Sequence, residues 1–351
     1  MILDPPKMSS SPSSPSVTPS PFSRLPNELV QQIVENTVPQ HYHSQTFSSR
    51  QSTLSSLCLV SKLFHQIAKP LLFAVIKVKT LTLTGLWGDH STARARNLVR
   101  ELICQAGMKP KNLGQLPVLH SHLRELTLAG NLEMVDLSTL SQLKNLEILK
   151  LSGLTLTSSS SFQFSKVTAL EVYLVQWAVP SSEIINPTNF PALSALSLGP
   201  TSSIEQALKS VGSQLDAYLT CWHGFPEDQI RKVQDKTLFD FYFAFVDSLP
   251  SVKHLRLWGD SAKSPAVLEG LLVQLRRTTP KIEPSLIYLP SNPRFDLSPQ
   301  NQVFAELKSE CEKAGAEIIF EEQPGEWRLD STISQDFWRR MKSRRAEEET
   351  V

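Results

Sequence analysis

Cysteine is sparse in this chain: Cys58, Cys104, Cys221 and Cys311 lie far apart, with no Cys-x-x-Cys pair. That spacing excludes a zinc centre of closely set ligands and fits a reducing compartment, where thiols are buried as small hydrophobes. Glycine is scarce as well, 13 residues against 24 prolines. No glycine-rich phosphate loop of the Walker or dinucleotide kind is present, nor a His-Glu-x-x-His or Gly-x-Ser-x-Gly motif. The eight histidines do not gather with a cysteine in any recognisable pattern. Neither His120/His122 nor Trp222-His223 forms a recognisable catalytic pattern, and lone histidines are more often structural. Charge of one sign is also lacking. With a net charge of +1 and a pI near 7.7, no global field points to nucleic acid or a membrane surface. No apolar run approaches membrane-spanning length, and the start carries no basic-then-apolar leader. The expectation is a cytoplasmic or nuclear protein that does no catalysis, needs no cofactor and binds neither nucleic acid nor membrane.

What is present is concentrated between residues 24 and 73. Arg24-Leu25-Pro26-Asn27-Glu28-Leu29-Val30-Gln31-Gln32-Ile33-Val34 places Pro26 where a first helical turn loses nothing by its missing N–H. Glu28 sits near the positive end of the helix dipole. Leu25, Leu29 and Ile33 recur every four residues with Val30 and Val34 beside them, a wide apolar stripe, and Pro39 stops the helix. After a polar insert at 39–52, Leu54 to Phe73 predicts a second helix. Leu57, Val60, Phe64 and Ile67 form one stripe, and Leu59 and Leu63 a short second one. Two helices this small cannot hide both stripes in a core of their own, so the excess docks on another protein or on the rest of the chain. His41 and His43 in the insert lack a third ligand and read as solvated polar sequence.

The wording Leu25-Pro26-x-Glu28-Leu29 followed by Leu57-Cys58-Leu59-Val60-Ser61-Lys62-x-Phe64-His65 and Pro70-Leu71-Leu72-Phe73 resembles the fungal form of the F-box. The resemblance covers about 50 residues, and the insert at 39–52 is longer than the usual connection. It implies a partner, the Skp-type adaptor of a cullin ubiquitin ligase. The residues it assigns to that contact are Leu25, Pro26, Leu29 and Ile33 in the first helix and Leu57, Val60, Ser61 and Phe64 in the second.

Further along, units of the form Leu-x-x-Leu-x-Leu recur. Leu123-x-x-Leu126-x-Leu128 is the fullest, ending in Asn131. Leu146/Leu149/Leu151, Val167/Leu170/Val172, Leu193/Leu196/Leu198 and Val252/Leu255/Leu257 follow, with a degraded unit at Leu215 and an early one at Val78, Leu81 and Leu83. Starts at 123, 146, 167, 193 and 215 differ by 23, 21, 26 and 22 residues, the period of leucine-rich repeats. The last two leucines of a unit are two apart and share one strand face, which only stacked neighbours bury. Together the features look like a fungal F-box protein with leucine-rich repeats.

The expected fold is α/β: a small all-helical F-box followed by an irregular leucine-rich-repeat solenoid (horseshoe). Its expected parts are a disordered Ser/Pro-rich tail at 1–22, the helical domain at 23–73, the repeat-like domain at 74–330 and a charged tail or helix at 331–351. The tail carries Ser-Pro and Thr-Pro pairs and reads as a linker. Leu72–Val78 reads as a strand, Ala93–Ala106, Ile204–Val211 and Ala266–Thr278 as helices on the outer side, and the aromatic run 238–246 as core. Val303–Ala314 followed by Ala316–Phe320 reads as a closing helix and strand, and the basic stretch 337–345 as a solvated helix end. Strand positions facing a substrate would include Arg124, Thr127, Lys150, Glu171, Tyr173 and Arg256.

The resemblance implies a substrate-recognition adaptor of a cullin-type (SCF) E3 ligase: the F-box holds the Skp-type subunit, and through it a cullin, while the repeats hold a substrate protein. Two other classes compete. One is a repeat scaffold whose F-box segment only caps the array, which would bury the Leu25/Leu29 stripe. The other is an enzyme with a site assembled on the concave face, which would show a deep pocket with titratable groups of perturbed pKa rather than the broad shallow surface of a solenoid.

Overall fold

The computed structural model describes residues 25–38, 44–78, 97–104, 113–116, 121–199, 204–222, 249, 252–259, 265–276, 284–291 and 302–322. The tail at 1–22, His41 and His43, Leu81 and Leu83, His120, His223, the aromatic run 238–246 and the basic stretch 337–345 lie outside them.

The units starting at Leu123, Leu146, Val167, Leu193, Leu215 and Val252 each become a strand of one parallel sheet. The strands are β1 Val75–Val78, β2 Glu101–Cys104, β3 Glu125–Asp136, β4 Ile148–Thr157, β5 Ala169–Tyr173, β6 Gln176–Trp177, β7 Ala195–Leu198, β8 Ala217–Trp222, β9 His254–Gly259, β10 Leu286–Ser291 and β11 Glu317–Glu322. Neighbours follow chain order from β1 to β11, except that the two-residue β6 pairs with the far half of β4. Among the described strands the order does not reverse, so they show no switch point of the kind where doubly wound sheets open a ligand crevice. The register aligns the second apolar position of every unit: Leu102, Leu126, Leu149, Leu170, Leu196, Tyr218, Leu255, Ile287 and Ile318 lie in one row. Just before each strand one backbone bond extends the ladder, as from the Glu147 N–H to the Arg124 carbonyl and from the Thr168 N–H to the Glu147 carbonyl.

Eight α-helices accompany the sheet among the described residues: α1 Asn27–Thr37, α2 Ser44–Val60, α3 Lys62–Ala74, α4 Leu137–Leu140, α5 Ser181–Ile184, α6 Ile204–Val211, α7 Pro265–Leu275 and α8 Gln302–Ala314. Residues of α4 to α8 share one core with the leucine rows. Leu140, Ile184, Leu208, Leu271 and Leu307 pack with Leu126, Leu149 and Leu170. Phe164 stacks on Phe190 within that core, with ring centroids 5.2 Å apart. The helices α1 to α3 form a small separate core of Val30, Val34, Val38, Leu54, Phe64 and Ala68.

The expected F-box-plus-horseshoe fold is corrected by this sheet. The chain is an α/β fold on a single large parallel sheet, and both faces of that sheet are buried. A horseshoe would leave the second face open, yet Ile148, Ala169, Ala195, Ala217, Leu219, Leu286 and Tyr288 form a second apolar cluster there, each 8% exposed or less. Parallel sheets are characteristically covered on both sides. These residues occupy the unspecified positions of the repeat pattern, which is why the leucine spacing did not reveal them. Strand length departs as well. β3 runs for 12 residues and β4 for 10, and after an irregularity between Ala129 and Glu133 they pair again as Glu133–Asp136 with Leu154–Thr157.

Local expectations fare unevenly. The helix over 204–211 and that ending before Gly315 are as read, and α7 covers 265–275. Gly315 carries the positive φ, 71°, of a helix C-terminal cap. The helix expected over 93–106 is replaced at its centre by β2, whose Glu101, Leu102, Ile103 and Cys104 are all buried. The strand expected from Leu72 starts only at Val75, because Leu72 to Ala74 finish α3. Asn131, which ends the fullest repeat unit, is exposed within β3, and its N–H donates to the Glu133 carboxylate.

Candidate partner-binding surface

The Pro26 carbonyl accepts the first bonds of α1, from the N–H groups of Leu29 (3.1 Å) and Val30 (3.2 Å), and Glu28 lies in the first turn. Pro26 therefore stands immediately before the helix rather than inside it. One residue turns an α-helix by 100°, and that rotation divides the apolar stripe. Val30, Val34 and Val38 point into the small core at 0%, 1% and 4% exposure. Leu25, Leu29 and Ile33, also four apart, remain in solvent at 37%, 46% and 45%.

The expected second helix is two helices. Ser61 takes extended backbone angles (φ −161°, ψ 168°), and its Oγ accepts from the Phe64 N–H at 3.3 Å, capping α3. This ends α2 at Val60, so the stripe Leu57, Val60, Phe64, Ile67 does not exist as one face. Phe64 is core, Leu57 and Ile67 are half-buried against it, and Val60 is 64% exposed. Most of the polar insert is helical too, since α2 begins at Ser44. Of the eight residues assigned to the contact, Leu25, Pro26, Leu29, Ile33, Val60 and Ser61 are exposed, Leu57 is half-buried, and Phe64 is buried. Sequence reasoning left out Leu59, which is 88% exposed. Its short second stripe with Leu63 was the available signal.

The helical unit is tied to the sheet. Ala74 ends α3 and Val75 begins β1 with no intervening residue, and the Ala74 carbonyl accepts from the Arg100 N–H at 2.8 Å. Arg50 of α2 is half-buried. Burial lowers its pKa, while Glu101 of β2 and Glu35 of α1 act in the opposite direction.

A second polar constellation lies on the other face of the sheet. Lys150 Nζ contacts Glu125 Oε1 at 2.6 Å with both side chains largely buried. Glu171 of β5 stands beside Lys150 in register, and Glu101 stands beside Glu125. Burial pushes the Lys150 pKa down, but the fields of Glu125, Glu171 and Glu101 outweigh it and hold the pKa above the usual lysine value. The positions expected to face a substrate are mostly covered: Thr127, Lys150, Tyr173 and Arg256 are buried, Glu171 is half-buried, and only Arg124 is exposed. Exposed apolar residues instead include Leu132 and Met134 in the second half of β3 and Leu174 just after β5. Leu132, Gly153 and Leu174 all adopt positive φ, at 64°, 60° and 51°.

Among the described residues no group of three or more His, Cys, Asp or Glu is arranged to hold a metal ion. No helix there is long and apolar enough to cross a membrane. Compared with known protein families and with characterised proteins, the chain matches none.

Proposed function

We propose that this protein is a fungal F-box-type, non-catalytic substrate-recognition subunit of a cullin-type (SCF) E3 ubiquitin ligase, acting in the cytoplasm or nucleus. Its N-terminal helices hold the Skp-type adaptor, and the sheet-bearing remainder holds a substrate protein. Its mechanism is proximity: two linked contacts raise the effective concentration of substrate near the ligase.

The observation that supports this reading is the exposed row of Leu25, just before α1, with Leu29 and Ile33 on it, a helix whose opposite edge is already anchored in a core. The competing scaffold reading makes the helices a mere cap and requires that row to be covered. The outward Leu132, Met134 and Leu174 are the apolar residues offered for the substrate contact, in place of the buried second face.

The test is co-purification of the full chain with a Skp-type adaptor, beside Leu29→Ser/Ile33→Ser. Each of these side chains is about half exposed, so its remaining burial on docking contributes roughly 1 kcal/mol, half the value for a whole side chain. Loss of both weakens binding about 30-fold. Capture of wild type and double variant alike, with unchanged circular dichroism, would remove the α1 row from the interface. A folded wild type that captures no adaptor refutes the reading.

A further inference from the structure

The small core of α1 to α3 and the large core of the sheet share no side chain among the described residues. A unit with its own core can open by itself, unless contacts outside both cores couple the two. The polar groups at the junction run in sequence from helix to sheet. Gln51 Nε2 on α2 donates to the Leu72 carbonyl of α3 at 3.4 Å. Two residues further on, the Ala74 carbonyl accepts from the Arg100 N–H at 2.8 Å. Arg100 leads into β2, where Glu101 stands in register with Val75 of β1. The turn of α2 that carries Arg50 and Gln51 therefore lies beside the first rung of the sheet. Arg50, half-buried there, stands in the fields of Glu101 on β2 and Glu35 on α1.

Glu101 is 6% exposed. A carboxylate buried to that extent keeps its charge only with a cation close by. Its neighbour in register, Glu125, is matched by Lys150 at 2.6 Å. Two adjacent carboxylates call for a second cation, and Arg50 is the one that reaches Glu101 from outside the sheet. Lys77, two residues after Val75 on β1, shares the face of Glu101 but belongs to the sheet itself. Neutralisation by Lys77 would steady the sheet alone, whereas neutralisation by Arg50 joins α2 to β2. A guanidinium suits that role, because it stays charged when partly buried and is less strongly hydrated than an ammonium.

We propose that Arg50 and Glu101 form an ionic clamp that makes the helical unit and the sheet unfold as one cooperative body, with Arg50 as the positioning residue. Without the clamp the helices retain only their own six buried side chains, Val30, Val34, Val38, Leu54, Phe64 and Ala68. They then open at a lower temperature than the sheet. The clamp is independent of the adaptor reading, since no partner takes part in it.

The experiment combines scanning calorimetry of the full chain with hydrogen–deuterium exchange read by mass spectrometry. Wild type is expected to melt in a single transition. Arg50→Met and Glu101→Gln should each split off an earlier transition and speed exchange in peptides from α1 to α3 about tenfold or more, the effect of losing one charge-assisted contact. Peptides from β4, β5 and β7 keep wild-type exchange, which verifies that the sheet is folded. Arg50→Lys, which keeps the charge, restores most of the coupling, and Lys77→Met leaves the helices joined. A single transition with unchanged α1–α3 exchange in both Arg50→Met and Glu101→Gln overturns the clamp. So does a wild type that already melts in two steps. Release of the helices by Lys77→Met to the same extent also overturns it, because neutralisation from within the sheet would then be the cause.

Discussion

Lys150→Met removes a cation that stands in the field of three carboxylates and keeps nearly the same length and apolar stem. In the folded protein the Lys150 ammonium lies 2.6 Å from Glu125 Oε1, with side-chain exposures of 7% and 17%, so solvent screens the pair weakly. Glu171 and Glu101 add to the field that holds the proton on Lys150. Breaking a buried pair by deleting one partner costs about 3–5 kcal/mol, because the remaining charge stays desolvated. For a domain of this size that lowers Tm by roughly 6–10 °C at pH 7, taking about 2 °C per kcal/mol. The pH dependence carries the diagnosis. In wild type the folded lysine pKa is raised, so the stabilisation is fully present below the unfolded value of 10.5 and is lost as pH rises through the folded pKa. In the variant the carboxylates have lost their cation. They take up protons more readily in the folded state, and the deficit shrinks as pH falls from 7 towards 5. Thermal unfolding of both proteins across pH 5–8, followed by circular dichroism, measures this. Lys150→Met/Glu125→Leu, which removes both partners, is expected to recover part of the loss. A variant as stable as wild type at pH 7, or a deficit independent of pH, refutes the account of Lys150 as the neutralising centre of that face.

Two further outcomes follow from the sheet and its core. Gly153 has φ 60°, and a Cβ there would collide with the Gly130 carbonyl oxygen, which is backbone and cannot swing aside. Gly153→Ala should cost about 2–4 kcal/mol from left-handed strain and the displaced strand, read as a lower urea midpoint; an unchanged midpoint contradicts the close approach of β3 and β4. Burial raises the Cys104 thiol to about 12 and, with Glu310 and Glu312 nearby, the Cys311 thiol to about 11. Neither should alkylate in native protein at pH 8, and both should react in denaturant; rapid native labelling, located by peptide mass spectrometry, would show those sites to be open.

The strands of this protein were legible because their signal is local. Leu126 and Leu128, Leu149 and Leu151, and Leu196 and Leu198 sit two apart with a third apolar residue before them, and every one of them is buried in the same core. Helix α1 was legible for the same reason, through Pro26, Glu28 and a four-residue apolar period. The break at Ser61 was harder to see. A serine between Val60 and Lys62 continues a helical pattern as readily as it caps one, and only the Phe64 N–H bond decides between them. That single cap moved Val60 into solvent and left Phe64 in the core, which divided the expected binding residues into surface and interior.

By itself the chain determined the strands that carry the Leu-x-x-Leu-x-Leu units, where α1 and α6 run and which leucines face the common core, because these depend on neighbours a few positions away; β2, read as helix, and β6 and β10 were not legible. The tertiary structure alone decided that the sheet is covered on both faces and that Lys150 meets three carboxylates from other strands. It also decided that Leu29 and Leu59 stay exposed while Val30 and Phe64 do not. Those outcomes depend on pairings between residues tens of positions apart, and on the position of each helix end, to which a short apolar period carries no information.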